Sequence, residues 1–278
     1  MQLLIIILQL TIEALDNDLT ASLSVNACEY CIDGDGNWMT LPAGTETESI
    51  NAGQTLSFRG NLTPNENTGI GTFTISKKFN IKGNCMSMLF GDNAADNYSL
   101  ENKDYAFKTL FWHCNNLIAI SNNFLPATVL VDSCYYGMFK DCTSLTNAPE
   151  LPATTLAHLC YCEMFEGCTG LVTAPELPAT TLSGSCYWGM FRRCTGLVTA
   201  PELPATTLIA YCYRDMFEGC SKLNYIKMLA IDINAMACLS DWISGVSSTG
   251  TFVKNPNMND LPTGNSGIPE GWNVENAA

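Results

Sequence analysis

"MFEGCTGLVTAPELPATTL" occupies Met164–Leu182, and "MFRRCTGLVTAPELPATTL" follows at Met190–Leu208. An earlier version, "MFKDCTSLTNAPELPATTL", fills Met138–Leu156. Cys142, Cys168, Cys194 and Cys220 each lie 26 residues apart, and Cys114 lies 28 before Cys142. A second series, Cys134, Cys160, Cys186, Cys212 and Cys238, keeps the same step of 26. Leu145, Leu171, Leu197 and Leu223 form a further ladder, as do Leu151, Leu177, Leu203 and Leu229. A fixed period of this length marks an array of stacked units, none of which can bury its apolar face alone.

Within one unit, Leu156, Cys160, Met164 and Cys168 recur every four residues, and Tyr161 and Phe165 widen the stripe. That spacing predicts one face of an amphipathic helix, with Thr154 or Thr155 at its start and Gly167 near its end. "LVTAPELP" has β-branched residues followed by two prolines, which predicts a very short strand and a turn. The expected fold class is therefore an α/β solenoid, leucine-rich-repeat-like, with a short strand plus helix per 26-residue unit. Identical positions in successive coils rarely offer disulfide geometry. The ladder cysteines are thus read as small buried thiols.

The frame M-F-x-x-C-x-x-L, with C-Y-x-x before the next Met-Phe, resembles the BspA-like leucine-rich-repeat proteins over about residues 106–242. Those proteins are usually found on bacterial surfaces, and similar repeats occur in gut bacteria and their phages. The resemblance implies a leucine-rich-repeat solenoid with a role in adhesion or host contact, and it supplies no catalytic residues.

Outside the array the text changes. Residues 1–104 alternate short apolar stretches with turn signals, which predicts an antiparallel N-terminal β domain of sandwich type. The array spans 105–241. The last unit loses the A-P-E-L-P-A-T-T-L text and puts Trp242 at the Met position, so 242–278 is read as a loop-rich C-terminal cap. The run Leu3–Leu8 is read as a buried strand, too short to span a bilayer and lacking the basic residues of a signal peptide.

Thirteen basic residues against 27 acidic ones give a net charge of −14. That argues against nucleic acid and against an anionic membrane as partners. No cofactor or metal is expected. Asp33, Asp35 and Asn37 have calcium-loop spacing, but Trp38 and Gly44 stand where the loop needs glycine and an acid, so a hairpin turn is expected. Cys28 and Cys31 lie three apart, and residues at that spacing in a strand face opposite ways. Even with Cys85 they complete no zinc set. His113 beside Cys114 is the nearest thing to a nucleophile and base, at a ladder position expected to be buried. Glu150, Glu176 and Glu202 form an acidic row. On the outer side of each expected helix the units vary, through Tyr136, Lys140, Trp188, Arg192, Arg214 and Glu218. Tyr, Trp and Arg are frequent interface anchors, so these six are the candidate ligand-binding surface. The expected function is a non-catalytic binding or adhesion module, at a cell surface or outside the cell, contacting a protein or glycan. A phage virion component, a fibre or decoration protein touching other virion proteins or its own copies, is the alternative. A thiol-dependent enzyme is the distant third.

Overall fold

The computed structural model of the chain describes residues 9–278. The strand expected at Leu3–Leu8 lies outside the described residues. The N-terminal part builds a six-stranded sheet from β1 (Leu10–Ala14), β3 (Cys28–Ile32), β4 (Met39–Leu41), β5 (Thr55–Arg59), β7 (Phe79–Lys82) and β8 (Leu117–Ile120). β2 (Ala21–Leu23) pairs with β6 (Phe73–Ile75) as a separate two-stranded sheet. The larger sheet runs β4-β3-β5-β1-β7-β8, antiparallel throughout except for the last pair. Leu10, Ile12 and Ala14 on β1 are buried, as the alternation requires. Phe58 of β5 meets Phe73 of β6 edge-on at 5.0 Å, which joins the two sheets.

The array departs from the helix-per-unit expectation. The only α-helix among the described residues is α1 (Ser87–Phe90), before the array begins. The stretch expected to be helical is a run of successive turns. At Tyr135–Cys142 the N–H groups of Tyr136, Met138, Lys140 and Cys142 donate three residues back within the coil. The alternate N–H groups, on Tyr135, Gly137, Phe139 and Asp141, donate to carbonyls of the next coil, at Cys160, Cys162, Met164 and Glu166. Backbone bonds of an α-helix stay inside the element. Here half of them leave it, and the backbone behaves as a sheet between coils. Every fourth residue closes a turn with positive φ: Ser133, Gly137 and Asp141, then Leu159, Glu163 and Gly167, then Ser185, Gly189 and Arg193. The four-residue stripe is therefore a turn period. The α/β, leucine-rich-repeat solenoid reading is corrected to a mainly β stack of turn-built coils.

Thr154 and Thr155 cap no helix; Thr155 bridges Thr181 in the next coil. The short strand after each cysteine is reduced to single parallel bridges, Asn147 to Thr173 to Thr199 to Tyr225. Those bridges lengthen into β9 (Tyr225–Met228), β10 (Thr251–Lys254) and β11 (Asn273–Asn276), all parallel. The tail thus continues the stack with two strands. One leucine ladder also ends differently, because Leu203 faces Met228 and not Leu229.

Stacking puts like on like. Phe73, Phe111, Phe139, Phe165, Phe191 and Phe217 form a column of near-parallel rings, 5.4–5.8 Å between neighbours. Phe107, Tyr135, Tyr161, Tyr187 and Tyr213 form a second. Offset stacking suits the ring quadrupole, and each ring also removes a large apolar area from water. Phe73 belongs to β6, so the phenylalanine column starts inside the N-terminal part and the core runs through without a break.

Candidate functional site

Three lateral surfaces of the stack carry side chains that differ in chemistry. The first is the outer edge of the turn runs, where the six candidate residues lie. The register brings them close to one another and to three further acids, Glu163, Glu166 and Asp215. Tyr136 Oη donates to Glu163 at 3.1 Å. Lys140 lies 2.8 Å from both Glu163 and Glu166. Arg192 sits 3.9 Å from Glu166 and 2.6 Å from Glu218. Trp188 Nε1 donates to Asp215 at 3.0 Å, and the Arg214 guanidinium rests 4.9 Å from the Trp188 ring centre. The Glu166 side chain is 5% exposed, while those of Lys140, Arg192 and Glu218 are 25–33% exposed. The six residues therefore share one strip, in which Tyr136, Lys140, Trp188, Arg192 and Glu218 make contacts between coils. Opposite charges at a spacing of 26 were the signal in the sequence, visible in Lys140, Glu166, Arg192 and Glu218.

The second surface is built by the Ala-Pro-Glu-Leu-Pro loops. Prolines hold each loop extended, and its leucine is buried as an anchor. Between one loop and the next lies a shallow groove. Pro149, Glu150, Pro152, Pro175, Glu176 and Pro178 line one of about 390 Å³. Pro175, Glu176, Pro178, Pro201, Glu202 and Pro204 line its neighbour, of about 330 Å³. The glutamates are exposed at the rims. Lys227 occupies the corresponding place one coil on and pairs with Glu202 at 2.8 Å. The third surface is a threonine and valine face that includes exposed Val172 and Val198.

Asp33–Gly36 turn the chain between β3 and β4, as expected of a hairpin. Asp33 accepts from the Thr55 N–H and from Gln54, and Asp35 accepts from Asn37. Cys28 and Cys31 are buried in β3, and Cys85 is fully buried elsewhere. Among the described residues no three His, Cys, Asp or Glu side chains converge as a metal site requires. The Cys114 thiol donates to the Phe73 carbonyl at 3.3 Å, and burial pushes it up to about 12. His113 faces Asp141 at 3.5 Å and its ring lies tilted against that of Trp112. His158 Nδ1 lies 2.8 Å from the Gly184 carbonyl.

Comparison with protein-family models, curated proteins and solved structures finds no match to this chain. The chemistry must be read from the surfaces themselves. A buried thiol held as a hydrogen-bond donor, as Cys114 is, is a poor nucleophile.

Proposed function

We propose that the chain is a non-catalytic binding module, using the side of its coil stack to hold a protein or glycan on a cell surface. The observation that carries this is the thrice-written Pro-Glu-Leu-Pro loop, which sets two like grooves side by side on one face. An extended ligand with a repeat of its own gains several weak contacts at once on such a face, and its effective affinity rises without any deep pocket. The surplus of acid favours a neutral or cationic ligand over nucleic acid. The likeness of the M-F-x-x-C-x-x-L frame to BspA-like surface proteins supports the same reading. The exposed edges of Tyr136, Lys140, Trp188, Arg192, Arg214 and Glu218 are the second contact face.

The test is a glycan and peptide array probed with the full chain, followed by the double variant Glu150→Gln with Glu176→Gln. Binding that weakens at least tenfold in the double variant is expected. An array with no signal above an unrelated acidic protein overturns the reading.

A virion role is the second reading. All fourteen cysteines are free and buried, and several thiols serve as donors to backbone carbonyls. That usage suits a protein assembled in a reducing interior before release. Immunogold labelling of producer cells and released particles separates the two: label on particles supports the virion role, label on cells supports an adhesin.

A further inference from the structure

The copies at Met164–Leu182 and Met190–Leu208 differ at two positions, Glu166 against Arg192 and Gly167 against Arg193. Every core position is the same. Such copies face a hazard of their own, because a coil that skips its neighbour and stacks on the next one finds the same apolar surface waiting. Register in a stack is specified only where the alternatives differ in energy.

The differences are ordered. Up one ladder the charges run Lys140, Glu166, Arg192, Glu218, alternating in sign and in contact at each step. Up the ladder at the preceding turn-closing position the residues run Gly137, Glu163, Gly189, Asp215. There the two acids take Lys140 and Trp188 from the coil before. Beyond the charge ladder, Gly167 and Gly219 alternate with Asp141 and Arg193. A Cβ on Gly167 would collide with the Asp141 carboxylate. Coils therefore come in two kinds, a basic one at 136–141 and 188–193 and an acidic one at 162–167 and 214–219. Over these four coils the 26-residue repeat is half of a 52-residue one, and the coils on either side carry the uncharged Trp112 and Ser244 at the ladder position.

We propose that this alternation is a pairing code that fixes the order of otherwise interchangeable coils. Skipping one coil sets Lys140 against Arg192, or Glu166 against Glu218 and Glu163 against Asp215. Skipping two restores every pair. One slipped contact is attractive, Asp141 against Arg193, but Arg193 is 59% exposed and its pairing is screened by water. The like-charge contacts fall on the half-buried ladder around Glu166, where screening is weaker and repulsion counts for more.

The test uses deletions that keep the loops intact. Removing residues 171–196 takes out one coil and brings Glu166 onto Glu218. Removing 145–196 takes out two and brings Lys140 onto Glu218. The two-coil deletion is expected to unfold at a higher temperature than the one-coil deletion, although it is the shorter chain. Glu218→Lys is then placed in both the full chain and the one-coil deletion. It should lower the melting temperature of the full chain by about 2–4 °C, less so in high salt, and raise that of the one-coil deletion. A change of the same sign in both overturns the proposal. If neither deletion folds, the full chain decides alone. No salt-sensitive loss on Glu218→Lys there means that the ladder specifies nothing.

Discussion

A thiol closed off from water has nothing to stabilise its anion, and this governs how the cysteines behave. Burial pushes Cys134, Cys186 and Cys220 up to about 12, from an ordinary 9.0. In the unfolded chain the same groups lose their protons near the ordinary value. Below that value the thiol is protonated in both states and adds no pH dependence. Above it the unfolded chain binds fewer protons, so stability falls as pH rises toward the folded value. The melting temperature should be level from neutral pH to about pH 8 and fall steeply beyond about pH 9. A thiol reagent at neutral pH should find no reactive cysteine in the native chain and all fourteen after unfolding without reductant. Fewer than fourteen would reveal disulfides. At the same scale, Leu159 holds φ at 54°, a left-handed conformation that crowds a branched side chain. Leu159→Asn should stabilise by about 0.5–1 kcal/mol, seen as a higher unfolding midpoint in urea.

At the scale of the element, the turn run explains both the array and the failure of the helical reading. Four residues turn an α-helix by about 400°, so a stripe kept strictly at every fourth residue drifts about 40° per step. Leu156, Cys160, Met164 and Cys168 never switch to a step of three, as a helix stripe must. Gly137 and Gly189 also fall in mid-run, where a helix would be weakened and a turn needs them. Both signs were present in the sequence. The decisive fact was absent from it: alternate N–H groups find carbonyls in the next coil. Far-ultraviolet circular dichroism should therefore lack the helical double minimum. Because the rings of one coil pack against those of the next, Phe165→Ala should cost about 3–5 kcal/mol in denaturant unfolding and be felt beyond its own coil.

At the scale of the molecule, a file of parallel contacts joins parts that the sequence text divides. β7 pairs with β8, the Asn147 side chain exchanges hydrogen bonds with the Ile120 backbone, single bridges run on from Asn147 through Thr173 and Thr199, and β9, β10 and β11 complete the file. The phenylalanine column crosses the same junction at Phe73 and Phe111. Calorimetry should show one unfolding transition, and residues 1–104 expressed alone should bind a hydrophobic dye, since they lack β8 and the next ring of the column. Two separate transitions would mean that the N-terminal part stands by itself.

The sequence by itself determined the repeat, its period, the buried thiols and the residues of the ladders, because each of these is a matter of which side chain recurs where. It also held the acids and bases of the candidate strip and their 26-residue spacing, but not that Glu163 and Asp215 reach the same strip from the neighbouring ladder. Only the tertiary structure decided whether the recurring stripe wound as a helix or as turns, and which surfaces stayed open. A hydrogen bond between coils depends on two segments 26 residues apart lying side by side, and no local preference records that.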